Sequence, residues 1–412
     1  MRKFRKFNHM GNGEKKAVIQ VIKSGVLSGF YGNWGEYFQG GPRVRAFEKD
    51  CEEYFQIEHA ITFNSLASGL SAAIGAIGIG PGDEVILPPW TMSATATAIL
   101  HWGGIPIFCD IDQKTYCIDP RLVEKLINEK TKAIIAVDIF GQSADIETLA
   151  QVAKKYNLLI ISDSAQAIGA KRNGYFAGTH VDIGGISLNY HKHIHTGEGA
   201  VMFTRNADLA LRLKLIRNHA ESVIADIPYP VSLVNMIGHN YRMTEVQAAI
   251  GSIQLQKLPK ILRRREEEAS RLREVLGKFS EIELPLVDDG NTHVYYLFAM
   301  QLNEEILPFN KLDFVEAITK QGVPGLSTQY LNLHMLPIFQ QKIAMGGSGF
   351  PWTYEKSRED ISYAKGICPV AEMLQEKNFF SFYMNDFMLT KKDISFIGKS
   401  FERTFVTLKR TL

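Results

Sequence analysis

The sequence predicts an α/β protein with a large domain, built on a doubly wound and mostly parallel sheet, and a smaller C-terminal α/β domain. Between residues 60 and 205, short β-branched runs alternate with helical patterns, which is typical of a parallel sheet covered by helices on both faces. The runs EVILP, IPIFCDI, AIIAVDIF, LLIISD, GGISLNY and AVMFT are almost continuously apolar. Strands that are buried on both faces have this pattern.

The chain length and a change of composition predict the domain boundary. At about 150 residues per domain, 412 residues are enough for two or three domains. The segment LRRREEEASRLREVLGKF has the pattern of a charged amphipathic helix, and we interpret it as a connector that begins the second domain. We therefore predict a large domain with an N-terminal arm over residues 1–256 and a small C-terminal domain over residues 257–412.

The composition excludes several classes of protein. Apolar residues make up 45% of the chain and charged residues 22%, which is the balance of a globular protein with a core rather than of a disordered or fibrous chain. The formal net charge of +2 gives no field that would attract nucleic acid or a membrane surface. The four cysteines have no CxxC spacing, which indicates a reducing compartment. We therefore expect a cytoplasmic protein.

Candidate chemical groups lie where the predicted strands end. The apolar run LLIISD ends at Asp163 and leads to Gln166, and the run GGISLNY leads through Ser187 to Lys192. Upstream, AITF is followed by NSLASG, which opens a helix of small residues at Leu66. Open α/β sheets bind ligands outside the carboxyl ends of their strands, and a helix start is a natural anion site. Taken alone, each of these residues is more often a helix cap, a turn residue or a surface charge. The prediction of a functional site therefore depends on their order along the chain.

In this order, the motifs resemble those of the fold type I pyridoxal phosphate enzymes and, more narrowly, of the sugar aminotransferases of the DegT/DnrJ/EryC1/StrS family. The resemblance rests on PGDEVILPPWTMSATATAIL, TKAIIAVDIFGQSADI, SDSAQAIGA, TGEGAVMFT and NYRMTEVQAAIG, which are spread over most of the chain. It implies a pyridoxal 5'-phosphate-dependent aminotransferase that moves an amino group from glutamate or glutamine to a keto-sugar nucleotide. The product would be an amino-deoxy sugar for a surface polysaccharide or a glycosylated metabolite.

The resemblance also implies roles for individual residues of the large, cofactor-binding domain. Pyridoxal phosphate delocalises the negative charge of a substrate carbanion into its ring, and Asp163 would keep the ring nitrogen protonated. Lys192 would hold the cofactor as a Schiff base and then move a proton between substrate and cofactor, because a desolvated amine is nucleophilic. The other cofactor contacts would be the backbone N–H groups of Leu66 and Ala67 and the Ser187 hydroxyl at the phosphate, Trp90 on the ring face, and Gln166 at the ring hydroxyl.

Further residues are expected at a subunit interface and around the substrate. The family has Gly-Thr where this chain has Leu66 and Ala67, so a hydroxyl donor to the phosphate is lost. Asn240 lies in the family motif whose asparagine reaches the phosphate of the neighbouring subunit, which implies a homodimer with shared active sites. The alternative role for Asn240 is a cap or turn before the next helix. By the same resemblance, the substrate would contact Tyr31, Trp34, His191, Tyr330 and His334.

Several alternatives remain open from the sequence. A cyclitol aminotransferase that acts on a keto-inositol is one alternative, and a non-catalytic regulator that retains the fold is another. A related dehydratase has histidine in place of the lysine, and Lys192 argues against it. The alternation of His191, His193 and His195 permits a metal site on one side of a strand. Zinc ligands normally have other spacings, so we expect no metal.

Overall fold

The computed structural model describes residues 3–288, 290–303 and 309–410. Its strands are β1 (His59–Phe63), β2 (Glu84–Leu87), β3 (Ile105–Phe108), β4 (Thr131–Val137), β5 (Leu159–Asp163), β6 (Lys171–Arg172), β7 (Tyr175–Phe176), β8 (Ile183–Ser187), β9 (Ala200–Thr204), β10 (Ile282–Glu283), β11 (Phe298–Leu302), β12 (Leu326–Ser327) and β13 (Phe379–Phe382).

The largest sheet has seven strands in the order β1-β9-β8-β5-β4-β2-β3. Strands β8, β5, β4, β2 and β3 pair in parallel, whereas β9 and β1 add two antiparallel pairings at one edge. A separate antiparallel sheet has the order β10-β11-β13-β12, and β6 pairs with β7. The predicted α/β class, with a large and mostly parallel sheet, is confirmed.

The α-helices surround these sheets. They are α1 (Asn12–Ser24), α2 (Pro42–Phe55), α3 (Leu66–Ala76), α4 (Ser93–His101), α5 (Pro120–Val123), α6 (Ile146–Tyr156), α7 (Ala207–Arg217), α8 (Ala220–Val223), α9 (Glu245–Leu276), α10 (Lys311–Lys320), α11 (Pro337–Gln340), α12 (Pro369–Met373) and α13 (Lys391–Arg410). Short 3-10 turns cover Glu36–Gln39, Glu124–Leu126, Ile139–Gly141, Ile224–Asp226, Leu333–Met335 and Met384–Asp386, and a π turn covers Leu374–Asn378. Over the described ranges, no helix has the length and apolarity needed to cross a membrane.

Burial on both faces of the large sheet explains the continuously apolar runs in the sequence. Ile134 and Ile135, which are neighbours on β4, are both fully buried. Because successive side chains of a strand point to opposite faces, both faces of β4 must be covered. Helices α2, α3, α4, α6 and α7 pack against the strands of this sheet, and their apolar residues share its core.

Helix α9 crosses the predicted domain boundary. It is a continuous helix of 32 residues that begins after Thr244, whose side chain accepts a hydrogen bond from the N–H of Gln247. Its first half packs on α1 and α2, and it also contacts α13 near the C-terminus. The charged segment interpreted as a connector is the second half of this helix, so α9 runs without a break across the boundary predicted at residues 256 and 257.

The C-terminal part of the chain packs back onto the large sheet. Leu333, Phe339 and Tyr363 belong to the same apolar cluster as the strands of that sheet. At Gly141, where φ is +119°, a Cβ would lie 2.7 Å from the backbone N of Tyr295. Only glycine permits both this backbone conformation and this approach. The C-terminal segment around Tyr295 is thereby held at the end of β4, beside the carboxyl ends of the parallel strands.

Candidate active site

A cavity of about 830 Å³ lies where β5 and β8 end and α3 begins. Ends of parallel strands and starts of helices are the positions at which α/β proteins normally bind ligands. Its wall includes the following residues predicted from the sequence: Leu66, Ala67, Asp163, Gln166, Ser187, His191, Lys192 and Tyr330. Because the chemically distinct candidates meet here, we describe this cavity as the candidate active site.

Lys192 lies on the turn that follows β8, where its backbone N–H donates a hydrogen bond of 2.9 Å to the carbonyl oxygen of Asn189. Burial lowers the pKa of Lys192 to about 8, and the carboxylate of Asp163 opposes this shift. The Nζ atom lies 4.4 Å from the centre of the Tyr296 ring. With a pKa about two units below that of an ordinary lysine, roughly a tenth of the amine is neutral at pH 7. Lys192 can therefore act as a nucleophile and as a base near neutral pH.

Asp163 ends β5 and presents its carboxylate to the same cavity. The Thr95 hydroxyl donates a hydrogen bond of 2.7 Å to Oδ2, and the backbone N–H of Ala165 donates one of 3.1 Å to Oδ1. Burial raises the pKa of Asp163, whereas these two donors and the nearby Lys192 lower it. Hydrogen bonds to the charged form favour ionisation. Their arrangement suits a carboxylate that keeps a proton on a neighbouring ring nitrogen.

The start of helix α3 supplies donors for an anion. Ser65 caps the helix by accepting a hydrogen bond of 3.2 Å from the N–H of Ser68, and the Ser68 hydroxyl donates one of 2.6 Å to Asn64 Oδ1. Leu66 and Ala67, the first two residues of the helix, line the cavity. The free N–H groups and the dipole of a helix start favour a negative charge. Together with the Ser187 hydroxyl on the same wall, they form a fitting site for a phosphate.

Two residues predicted at the site lie in the core instead. Trp90 is fully buried, does not line the cavity, and donates a hydrogen bond of 2.6 Å from Nε1 to Asn332. The prediction that it stacks on a ligand ring is therefore corrected: Met92, two residues later, is 66% exposed and lines the cavity. His334 is also buried, and its Nε2 is 2.9 Å from Glu372. The prediction that His334 contacts the substrate is also corrected, because its side chain is buried in the core and does not line the cavity.

Gln166 lines the cavity, and both polar atoms of its side-chain amide form hydrogen bonds within the protein. Its Oε1 accepts a hydrogen bond of 2.9 Å from the backbone N–H of Phe140, and its Nε2 donates one of 2.9 Å to the Tyr330 hydroxyl. The predicted hydrogen bond from Gln166 to a ligand hydroxyl would share or replace the bond to Tyr330. The two predicted residues, one for the cofactor and one for the substrate, thus form a single hydrogen-bonded pair on the wall.

Three predicted residues lie away from the cavity of their own chain. Tyr31 is exposed and contacts the ring of Tyr37 edge-on at 5.2 Å, while Trp34 packs on Phe38. Asn240 is exposed, and its Oδ1 accepts a hydrogen bond of 2.8 Å from Arg242 Nε. Contact of these residues with a ligand stays a prediction that requires a second chain.

The three alternating histidines have different surroundings. His191 is exposed at the cavity, His193 is fully buried with its Nε2 2.8 Å from the carbonyl oxygen of Val294, and the ring of His195 lies 5.0 Å from that of His9. The segment forms turns rather than a strand, so alternation does not place the rings on one side. In the part of the chain that the structure describes, no group of three or more His, Cys, Asp or Glu residues could hold a metal ion.

Thr95 and Tyr296 are neighbours of the candidate catalytic groups that sequence reasoning missed. Thr91 and Thr95 are four residues apart in TMSATAT, and their hydroxyls are 2.7 Å apart beside Asp163. This helical spacing was the available signal for Thr95. Nothing in HVYYLF distinguishes Tyr296 from Tyr295, because only the three-dimensional approach to β4 turns Tyr296 towards the cavity.

Fold and site together define an α/β enzyme of the aminotransferase class, and comparison with known proteins identifies its family. Residues 14–364 match the model of the DegT/DnrJ/EryC1/StrS aminotransferase family. The match extends over most of the chain, and the chain belongs to this family. The sequence-based identification is confirmed, as is the prediction that the protein is an aminotransferase.

Individual relatives are named for different compounds. The chain is 36% identical over 265 residues to GDP-perosamine synthase of Caulobacter vibrioides, and this alignment covers 64% of the present chain and 70% of that protein. It is 32% identical over 332 residues to L-glutamine:2-deoxy-scyllo-inosose aminotransferase of Streptomyces fradiae, covering 79% and 76%. The X-ray structure of the aminotransferase from Psychrobacter cryohalolentis superposes with a TM-score of 0.81 at 25% identity, covering 99% of this chain and 100% of that one.

Proposed function

We propose that the protein is a pyridoxal 5'-phosphate-dependent aminotransferase that transfers an amino group from glutamate or glutamine to a keto-sugar nucleotide. The product is an amino-deoxy sugar for a surface polysaccharide or a glycosylated metabolite, made in the cytoplasm. One observation carries the proposal: an amine of lowered pKa, a buried carboxylate and a helix start line one cavity. Membership of a sugar aminotransferase family supports the choice of substrate class.

The residues around the cavity fit pyridoxal phosphate. Lys192 offers an amine for a covalent link, Asp163 a carboxylate for the ring nitrogen, and the start of α3 with Ser187 a set of donors for the phosphate. When bound, this cofactor delocalises negative charge from the substrate carbon. The exposed side chain of Met92 on the same wall gives an apolar surface for a ring.

The proposed mechanism assigns the proton steps to two side chains. As a neutral amine, Lys192 would take a proton from the substrate carbon, and as the resulting ammonium it would deliver that proton to the cofactor carbon; its pKa of about 8 permits both roles near neutral pH. Asp163 would hold a proton on the ring nitrogen of the cofactor, with its own charge stabilised by the hydrogen bonds from Thr95 and Ala165. The burial of Asp163 strengthens its interaction with the Lys192 ammonium.

A homodimer with shared active sites is part of the proposal. In the described part of the chain, the charged side chains on the cavity wall are Asp163, Lys192 and Glu198, so carboxylates outnumber the one ammonium. A cofactor phosphate and a nucleotide diphosphate would add further negative charge, which requires donors from elsewhere. Asn240 and Arg242, side by side and outside their own cavity, are the donors that we propose a second chain contributes.

A cyclitol aminotransferase is the second candidate. The similarity to an enzyme named for 2-deoxy-scyllo-inosose favours it, because a keto-inositol, like a keto-sugar, presents a ring with a ketone and several hydroxyl groups. The cavity of about 830 Å³ is within the usual range for small-molecule sites and accommodates either ring. A non-catalytic regulator is less favoured, since Lys192 and Asp163 are both present and both line the cavity.

Purified protein incubated with pyridoxal phosphate tests the proposal directly. We expect visible absorbance from the bound cofactor, and amino transfer from glutamate or glutamine to a keto-sugar nucleotide when the released oxoacid is measured. Lys192→Ala should fold with the same thermal transition and lose at least a thousandfold in turnover, because nucleophile and proton carrier are removed together. Turnover within tenfold of the parent would show that another residue does this work, and activity restricted to keto-inositols would establish the cyclitol alternative.

A further inference from the structure

We propose that Tyr296 is a positioning residue for Lys192, whose amine it holds against its ring face on the side of the cavity that Asp163 also faces. The Nζ of Lys192 lies 4.4 Å from the centre of the Tyr296 ring. A cation over an aromatic face is attracted by the negative charge of the π system, most strongly where water is excluded. The inference rests on the proposed role of Lys192 and adds a residue from the C-terminal part of the chain to the site.

Three contacts fix the backbone that carries Tyr296. The N–H of Leu297 donates to the carbonyl oxygen of Phe140 at 3.2 Å, and the N–H of Val294 donates to that of Gly141 at 2.7 Å. The carbonyl oxygen of Val294 lies 2.8 Å from Nε2 of His193. His193 directly follows Lys192, so the lysine turn and the tyrosine segment are bonded to each other. The ring is therefore set over the amine by the backbone of both segments.

Tyr296 differs in this respect from the other tyrosines of the cavity. Tyr330 and Tyr383 also line the wall, but Tyr330 is bonded to Gln166. Among the described aromatic residues, Tyr296 is the ring over which the Lys192 ammonium lies. The ring face favours the charged form of the amine, while burial favours the neutral form. Tyr296 thus limits the effect of burial and keeps the protonated lysine in place as a proton donor.

The test measures the protonation of Lys192 in the full-length chain without added cofactor. The rate at which acetic anhydride acetylates Lys192, followed by peptide mass spectrometry from pH 6 to 10, reports the fraction of neutral amine. Tyr296→Leu removes the ring face, and the apparent pKa of Lys192 should fall by about half a unit to one unit. Tyr296→Phe retains the face and should match the parent. Tyr383→Leu is the matched control, because it removes a cavity tyrosine that does not lie under the amine.

A second measurement uses the cofactor-loaded enzyme. Tyr296→Leu should lower kcat by about three- to tenfold with little change in KM, and Tyr296→Phe should restore the parent value. If the leucine variant shows no cooperative thermal transition, Tyr296→Met replaces it in both measurements. A Lys192 titration unchanged in the ringless variant, or shifted equally by the phenylalanine variant, would overturn the proposal. Because the titration needs no cofactor and no substrate, it stands even if the proposed reaction is wrong.

Discussion

Thr95→Val removes the hydroxyl that donates a hydrogen bond to the Asp163 carboxylate, which we propose as catalytic, and leaves a side chain of nearly the same shape. The hydrogen bond from Thr95 to Asp163 Oδ2 is 2.7 Å long and fully buried. A hydrogen bond to a charged group contributes about 1.5–3 kcal/mol, so the ionisation equilibrium of Asp163 should move about ten- to a hundredfold towards the protonated acid. Burial already raises the pKa of Asp163, and the loss of the donor acts in the same direction.

The assay is the pH dependence of kcat and of the visible absorbance of the cofactor-loaded protein. We expect the acidic limb of the kcat profile to move to higher pH in Thr95→Val, since a protonated Asp163 no longer favours a protonated ring nitrogen. Thr97→Val on the same helix is the control, because the Thr97 hydroxyl donates a hydrogen bond to the carbonyl oxygen of Ala94 rather than to Asp163. Profiles that coincide for Thr95→Val, Thr97→Val and the parent would refute the role assigned to the hydroxyl.

Two further predictions concern assembly and acid stability. Asn240→Ala should weaken cofactor binding by about ten- to a hundredfold. When Asn240→Ala and Lys192→Ala subunits are mixed, the hybrid dimer should recover up to half of the parent activity, because one of its two sites has both residues intact. Hybrid dimers that form and remain inactive would exclude shared sites. Burial lowers the pKa of His193 and of His293 to about 3, whereas both imidazoles protonate near pH 6.5 when unfolded. The free energy of unfolding should therefore fall by about 1.4 kcal/mol per pH unit for each histidine as pH drops from 6.5 towards 3, and equal urea midpoints at pH 7 and pH 5 would contradict this.

The fold was predictable because strands that are buried on both faces of a sheet have continuously apolar sequences. Continuous apolar runs such as that around Ile134 and Ile135 are typical of strands that are covered on both faces. The sequence predicted a helix after Thr244 and, separately, a charged helix after residue 257, whereas the two form the single helix α9. A charged pattern indicates which face meets solvent and carries no information on how far a helix extends, while the capping box at Thr244 marks where this one begins.

Part of the site was equally predictable. Asp163 ends β5 and Lys192 lies on the turn that follows β8, and the ends of parallel strands meet at one edge of the sheet. Trp90 was misassigned because the direction of a side chain after Pro88-Pro89 depends on the path of the turn, and the largest apolar group entered the core while Met92 faced the cavity. His334 was assigned by position along the chain, yet its partner Glu372 holds it inside the core.

Burial changes the pKa values of Asp163 and Lys192, the two groups that we propose as catalytic, in ways that have opposite consequences for the proposed reaction. It raises the pKa of Asp163, which must stay charged, and it lowers the pKa of Lys192, which must be partly neutral. The surroundings differ accordingly: two hydrogen-bond donors meet the carboxylate, whereas the amine lies over an aromatic face, a weaker partner for a charge, and near the charge of Asp163. The donors partly offset the effect of burial on Asp163, and the partners of Lys192 leave most of the effect of burial on its pKa in place. A single cavity can in this way offer a carboxylate whose charged form is stabilised and a lysine that is partly neutral near pH 7.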